Sequence, residues 1–184
     1  MSIAHKISVD EYDAWTAEGR FEPREEHHVE LLYGEVVAMS PAGPFHADIL
    51  AWLAEWSAEV TRGRGVLVRV QMPLRLVEFQ SQPEPDIAWV KRERYRRRHP
   101  EASDTYLVIE VGHSSVASDR EIKSKLYAAA GIPEYWLVDI ANRTVEVRRD
   151  PEASGYASLA VLQVGELARP AAWPEIDLEI AELF

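Results

Sequence analysis

"TYLVIEVGHSSVASDREIKSKLYAAAGIPEYWLVD", residues 105–139, decides the fold. Its first part, "TYLVIEV" (105–111), is apolar on both faces, the pattern of a strand buried inside a sheet. Its last part, "EYWLVD" (134–139), is a second such run. The segment between them has helix ends: Ser118-x-x-Glu121 reads as a capping box, Gly131 suits the position just past the last turn, and Pro133 stops any continuation. Strand, helix of about a dozen residues, strand is the signature of two parallel neighbours joined by a right-handed crossover. One residue resists the pattern. Glu110 stands among Leu107, Val108, Ile109 and Val111, and an unpaired buried carboxylate costs several kcal/mol, so something must bind or neutralise it.

The helix beyond that strand offers a partner. At 100° per residue, Ile122, Leu126 and Ala129 define its buried stripe, with Asp119, Lys123 and Tyr127 stacked along one border and Lys125 on the other. From there the Lys123 ammonium can reach back over the end of the Glu110 strand. The alternative is a surface Asp119–Lys123 ion pair worth a few tenths of a kcal/mol. Upstream, Asp86 follows "QPEP" and opens the short strand "DIAWV" (86–90). On adjacent strands Asp86 and Glu110 can converge at one sheet edge, where two carboxylates suit Mg²⁺ or Mn²⁺. Pairing of Glu110 with an arginine or a loop amide, and a turn role for Asp86, are the competing readings.

Working outward, Ser8-x-x-Glu11 predicts a capped helix over about 9–18. "VELLYGEVVAMS" reads as two strands meeting near Tyr33 and Gly34, and "SPAGP" breaks the chain. Ile49, Leu53, Trp56 and Val60 mark an amphipathic helix of roughly 45–62. "VLVRVQMPLRL" (66–76) alternates around Pro73, and "TVEVRRD" with "YASLAVL" predicts a hairpin before a closing "LEIAELF" element. The expected architecture is α/β (α+β mixed): a mixed sheet flanked by helices, with additional N-terminal and C-terminal β-hairpins, in a single domain over residues 1–184.

Composition sets the outer bounds. The 184 residues, 47% hydrophobic and 28% charged, are enough for one domain with a core. With no cysteine, disulfides and thiolate zinc sites are excluded, and any metal must sit on oxygen or imidazole. The first 20 residues lack a signal-peptide core and no apolar run approaches the roughly 18 residues of a membrane span, so a cytoplasmic protein with no membrane partner is expected. The net charge of −11 argues against a uniformly basic nucleic-acid coat. However, "KRERYRRRH" (91–99) holds six of the 20 lysines and arginines and one acid, a local +5. Such a patch suits a local grip on phosphates; a solvated loop or short helix is the plainer alternative.

"PEPDIAWV", the 105–139 stretch from "YLVIEV" onward, and the preceding "VELLYGEVVAMSPAGPFH" together resemble the Uma-type family of "putative restriction endonucleases", within the PD-(D/E)XK nuclease superfamily. The similarity runs from about Val29 to Asp139 and continues weakly to the C-terminus. The resemblance implies a restriction-endonuclease-like fold, with Asp86 as the aspartate of the PD motif, Glu110 as the acidic residue of the second motif and Lys123 as the family's helix lysine. It implies that Asp86, Glu110 and the carbonyl of Val111 hold Mg²⁺ or Mn²⁺, that DNA is the substrate, and that the products carry 5′-phosphates. Glu30 and His46 match the family's N-terminal motif, and Gln71 matches a glutamine before the PD strand. For Glu30 a strand-end ion pair, and for His46 a local bond at the helix start, are the structural alternatives. One position departs from the superfamily pattern: where a lysine stands two residues after the glutamate, this chain has Gly112, so Lys123 must serve from the helix. His113, Ser114 and Ser115 form no expected nucleophilic pair, since adjacent loop residues rarely present that geometry. A homodimer fits an enzyme that cuts two strands, although nothing in the sequence shows one. The expectation is a Mg²⁺-dependent endonuclease acting on DNA. Its competitors are an inactive nuclease-like nucleic-acid-binding or interaction module and a metal-dependent hydrolase of a small phosphoester.

Overall fold

Ser8 and Glu11 exchange hydrogen bonds, amide to hydroxyl and amide to carboxylate, and the first helix, α1 (Val9–Ala17), begins on that closed capping box. The coordinates, a computed structural model, describe residues 6–21, 29–39, 43–112 and 119–184. β1 (Val29–Leu32) and β2 (Glu35–Ala38) pair antiparallel around Tyr33 and Gly34, whose φ values of 52° and 82° suit a tight hairpin turn. Glycine is required at 34 for a second reason: a Cβ there would lie 3.1 Å from the Ile7 carbonyl oxygen. α2 (Pro44–Val60) opens on a proline, whose missing N–H would have been unpaired there anyway, and it buries Ile49, Leu50 and Leu53.

The central sheet has six strands in the spatial order β3 (Val66–Val70), β4 (Ile87–Lys91), β5 (Thr105–Gly112), β6 (Glu134–Asp139), β7 (Thr144–Glu152) and β8 (Gly155–Gln163). All neighbours are antiparallel except β5 and β6, the parallel pair that the strand–helix–strand reading requires. The C-terminal hairpin β7–β8 continues this sheet to its far edge, while β1–β2 stands apart, as do the short β9 (Leu167–Ala168) and β10 (Leu178–Glu179). Alternation along β5 divides the core. Leu107, Ile109 and Val111 face α2 with Trp89 and Trp136, and Val108 faces the opposite layer with Leu126, Tyr127, Tyr135 and Leu137. By the same alternation Glu110 points into that opposite layer.

Two expectations change. The strand predicted over 66–76 ends at Val70, because Gln71 takes φ 47° and Pro73 follows. The helix predicted over about 119–130 starts as a π-helical turn, Asp119–Lys123, before α3 (Ser124–Ala129). A wider turn advances each side chain by less than 100°, so the expected stripe is rotated: Ile122 is 41% exposed, whereas Lys123, Ser124 and Tyr127 are buried. The far end is as read, with Gly131 at φ 80° and the amides of Gly131 and Ile132 donating to Ala128 and Tyr127 carbonyls. Ser118 of the expected capping box, and His113 to Ser115, lie outside the described residues. Among those described, no helix is long and apolar enough to cross a membrane.

Candidate functional site

Ile87 pairs with Ile109 across β4 and β5, so the next rung sets Asp86 beside Glu110. The two are tied through the backbone: the Asp86 amide donates to Glu110 Oε2 at 3.3 Å, and the Val111 amide donates to Asp86 Oδ2 at 2.8 Å. Val111 thus enters through its amide in these contacts. Around Asp86, Gln71 Nε2 donates to Oδ1 at 3.2 Å, and His46 Nε2, from the first turn of α2, lies 3.3 Å from Oδ2. His46 therefore reaches Asp86 across 40 residues of sequence. The left-handed backbone of Gln71 is secured by its amide, which donates to the Asp86 carbonyl at 3.1 Å. Strain of this kind in a non-glycine residue persists only where the surroundings over-determine it.

Glu110 is met from the other layer. The π-helical turn aims Lys123 inward, and its Nζ lies 3.2 Å from Glu110 Oε1 and 3.1 Å from Glu30 Oε1 on β1. With Lys123 only 6% exposed, the surface ion-pair reading does not hold. Glu30 Oε2 accepts from the Glu84 amide at 3.2 Å, so the strand-end ion pair expected for Glu30 is made, but inside the site. Tyr127 donates its hydroxyl to Glu110 Oε1 at 2.9 Å. Burial, then the charges of Glu110 and Glu30, hold the Tyr127 phenol well above its ordinary pKa, so it remains a donor. Burial, then the charges of Glu84, Glu30 and Asp13, raise the pKa of Tyr12, whose hydroxyl donates to the Val29 carbonyl and braces β1.

All six candidate side chains, Glu30, His46, Gln71, Asp86, Glu110 and Lys123, therefore lie in one connected set. Two contributors were not singled out from the sequence. Tyr127 stood in the border row with Lys123, at i+4, so its approach to the same carboxylate was there to be read. Glu84 acts through its backbone amide, which leaves no mark in residue type.

Among the described residues Glu30 and Glu110 share the buried ammonium of Lys123, and Asp86 is met by His46, Gln71 and the Val111 amide. Three buried carboxylates on one connected set of bonds are a donor arrangement that can take a cation. The side-chain donors of Asp86 and Glu110 are hard oxygens, which fit Mg²⁺ or Mn²⁺. Among the described residues no three His, Asp or Glu side chains form a ready-made cage. A hard cation held by two carboxylates and a carbonyl keeps several waters, so the donor set fits the ion that the sequence suggested.

The basic stretch lies elsewhere. It leaves the Lys91 end of β4, about 17 Å from the Asp86 end by strand rise. Part of its charge is consumed internally: Arg98 pairs with Asp104 and lies 5.1 Å over the Tyr95 ring. Arg92, Arg94, Arg96 and Arg97 are exposed, and the last two line a cleft of about 430 Å³ with Tyr95, Arg98 and His99. Burial and the nearby Arg69 lower the His99 pKa, which favours its neutral form.

A family described as "Putative restriction endonuclease", Uma2, matches residues 9–181. A crystal structure described as a putative nuclease belonging to DUF820, from Anabaena variabilis, superposes with a TM-score of 0.72. It shares 20% sequence identity, and the match covers 97% of each chain. No curated protein matches the sequence.

Proposed function

Since the chain belongs to the Uma2 family of restriction-endonuclease-like proteins, we propose that it is a metal-dependent endonuclease hydrolysing DNA phosphodiester bonds, with residues 1–184 as one nuclease-like domain in the cytoplasm. Asp86, Glu110 and the Val111 carbonyl would hold Mg²⁺ or Mn²⁺, which when bound supplies the positive charge that polarises a phosphoryl oxygen. The observation that carries the reading is the Lys123 ammonium, 3.2 Å from Glu110. It occupies from the helix the role left open by Gly112. Glu30 and Tyr127 hold that ammonium and carboxylate in place, so charge developing on a phosphate meets a donor already oriented. Gln71 and His46 fix the rotamer of Asp86. The exposed arginines of 92–97 would contact the DNA backbone, giving affinity that falls with salt and little sequence information.

The test is plasmid nicking with Mg²⁺ or Mn²⁺ by the wild type, Asp86→Ala, Glu110→Ala and Lys123→Ala. Cleavage by the wild type and loss of about 100-fold or more in each variant is expected. Cleavage that survives all three substitutions defeats the proposal. Salt-sensitive DNA retention without cleavage supports the binding module instead, and turnover of a small phosphoester alone supports the third reading.

A further inference from the structure

The two edges of the central sheet are treated differently. β3 is short, carries Arg69 and is ended by the left-handed Gln71. β8 runs for nine residues as "GYASLAVLQ", with no charge and no proline, and its pairing to β7 keeps one register from Gly155 to Gln163. Among the described residues no strand lies on its outer side. Leu159 and Val161 are 53% and 50% exposed, and Val164 just beyond is 48% exposed. At the end of β8 the Gln163 amide and carbonyl are bonded by Glu166; the uncharged, apolar edge before it is a template for another strand, and proteins that remain monomeric blunt such edges with charges, prolines or bulges.

We propose that β8 pairs antiparallel with β8 of a second copy of this chain, about a two-fold axis at Ala160. In this register Leu159 lies beside Val161 of the partner subunit and Ser158 beside Leu162 of the partner subunit, within the strand that ends at Gln163. No like charges stand opposite each other along the strand, and the two most exposed apolar side chains cover one another on both sides of the axis.

The same pairing sets the distance between the two carboxylate sites, a consequence that rests on the nuclease reading. Glu110, Leu137, Glu146 and Val161 form one rung across the sheet, so they share a face. A two-fold perpendicular to the joined sheet keeps both sites on that face. The two β5 strands are then seven strand spacings apart, about 34 Å. The two glutamates are offset along the strands by about 7 Å. That separation is close to one turn of B-form duplex, about 34 Å, and the twist of about 20° at each of the seven spacings turns the two sites toward different directions, so paired cuts would come from a duplex that the two sites approach from different sides.

Sedimentation of the full chain at micromolar concentration should give twice the monomer mass. Ala160→Lys, which sets two ammonium groups face to face on the axis, should give the monomer with an unchanged circular-dichroism spectrum and a melting temperature that no longer rises with protein concentration. Leu159→Lys combined with Val161→Glu sets a cation beside an anion on each side of the axis and should keep the dimer, whereas Leu159→Lys alone should weaken it at least tenfold. Hydrogen exchange of the β8 amides should slow as wild-type concentration rises. A wild type that stays monomeric to about 100 µM, or an Ala160→Lys variant that stays dimeric, overturns the interface. For the spacing, the monomeric variant should nick plasmid but lose paired breaks; paired breaks at wild-type yield overturn it. Absence of cleavage by every form overturns the nuclease reading and leaves sedimentation to decide the interface.

Discussion

The protein buries two groups of three carboxylates and holds them with different partners. Along β6 and β7, Glu134, Asp139 and Glu146 meet Arg149, Arg120 and Arg148, with Arg149 at 2.7 Å from Glu134, Arg120 at 3.2 Å from Asp139, and Arg148 at 2.6 Å from Glu146. Further donors complete the shell: Trp136 Nε1 and the Ala171 amide bond Glu134, and Asn142 bonds Asp139 twice. Charge for charge this set closes, and its hydrogen bonds hold β6, β7 and the π-helical turn together. At the other site Glu30 and Glu110 share Lys123, and Asp86 is met by Gln71, His46 and the Val111 amide, with no arginine among the contacts named. Carboxylates each held by an arginine maintain the fold; carboxylates held by one shared ammonium and by neutral donors keep oxygens of the kind a divalent cation takes.

The comparison is broken most directly by removing one member of the matched set. Glu134→Ala leaves Arg149, Trp136 and the Ala171 amide facing a void, and should cost about 3 kcal/mol or more. That corresponds to a fall of roughly 6–12 °C in melting temperature for a chain of this size, readable by calorimetry. Glu110→Gln at the other site should do the reverse: the nicking rate falls by about 100- to 1,000-fold, equivalent to about 3–4 kcal/mol, while the melting temperature changes less than in Glu134→Ala, because the amide fills the same volume and keeps an oxygen to accept from Tyr127 and Lys123. A large fall in stability for Glu110→Gln would place both clusters in the same structural class.

Divalent cation sharpens the contrast. At a hundred times its Kd, Mn²⁺ binding only to the native state adds about 2.7 kcal/mol, so wild type should melt several degrees higher with Mn²⁺ and Asp86→Asn should not. Tyr127→Phe, which removes one hydrogen bond to Glu110, should cost about 1 kcal/mol and leave the matched cluster untouched.

The slowest change with conditions is acid sensitivity. Burial raises Asp139 and Glu146, but Asn142 and Arg120 for the first, and Arg120 and Arg148 for the second, more than offset it, leaving both pKa values below the ordinary range. A lowered native pKa gives stability that is complete above the unfolded value of about 4 and drains as pH falls toward and through the native one. Urea midpoints of the wild type should therefore fall below about pH 4, and Asp139→Asn with Glu146→Gln should flatten that limb.

Much of the fold was legible because local rules settle it. The Ser8 box, the Tyr33–Gly34 turn and the Gly131 cap depend on residues within a few positions of each other, and the parallel β5–β6 pair follows from the length of the connection. The rotation of the helix was not legible, since the π-helical turn that buries Lys123 in place of Ile122 has no distinguishing composition.

From its sequence alone the chain declares which residue types it must bury and where its helices start and stop, because periodicity and capping act over a single turn or rung. It also declares the oddity of Glu110 in an apolar strand. Only the tertiary structure decides what Glu110 meets, because Lys123 and Tyr127 come from one helical segment, Glu30 from β1 and Asp86 from the start of β4, and their approach is set by register and layer packing. Electrostatic energy depends on distances across space, and sequence spacing fixes those only within one element.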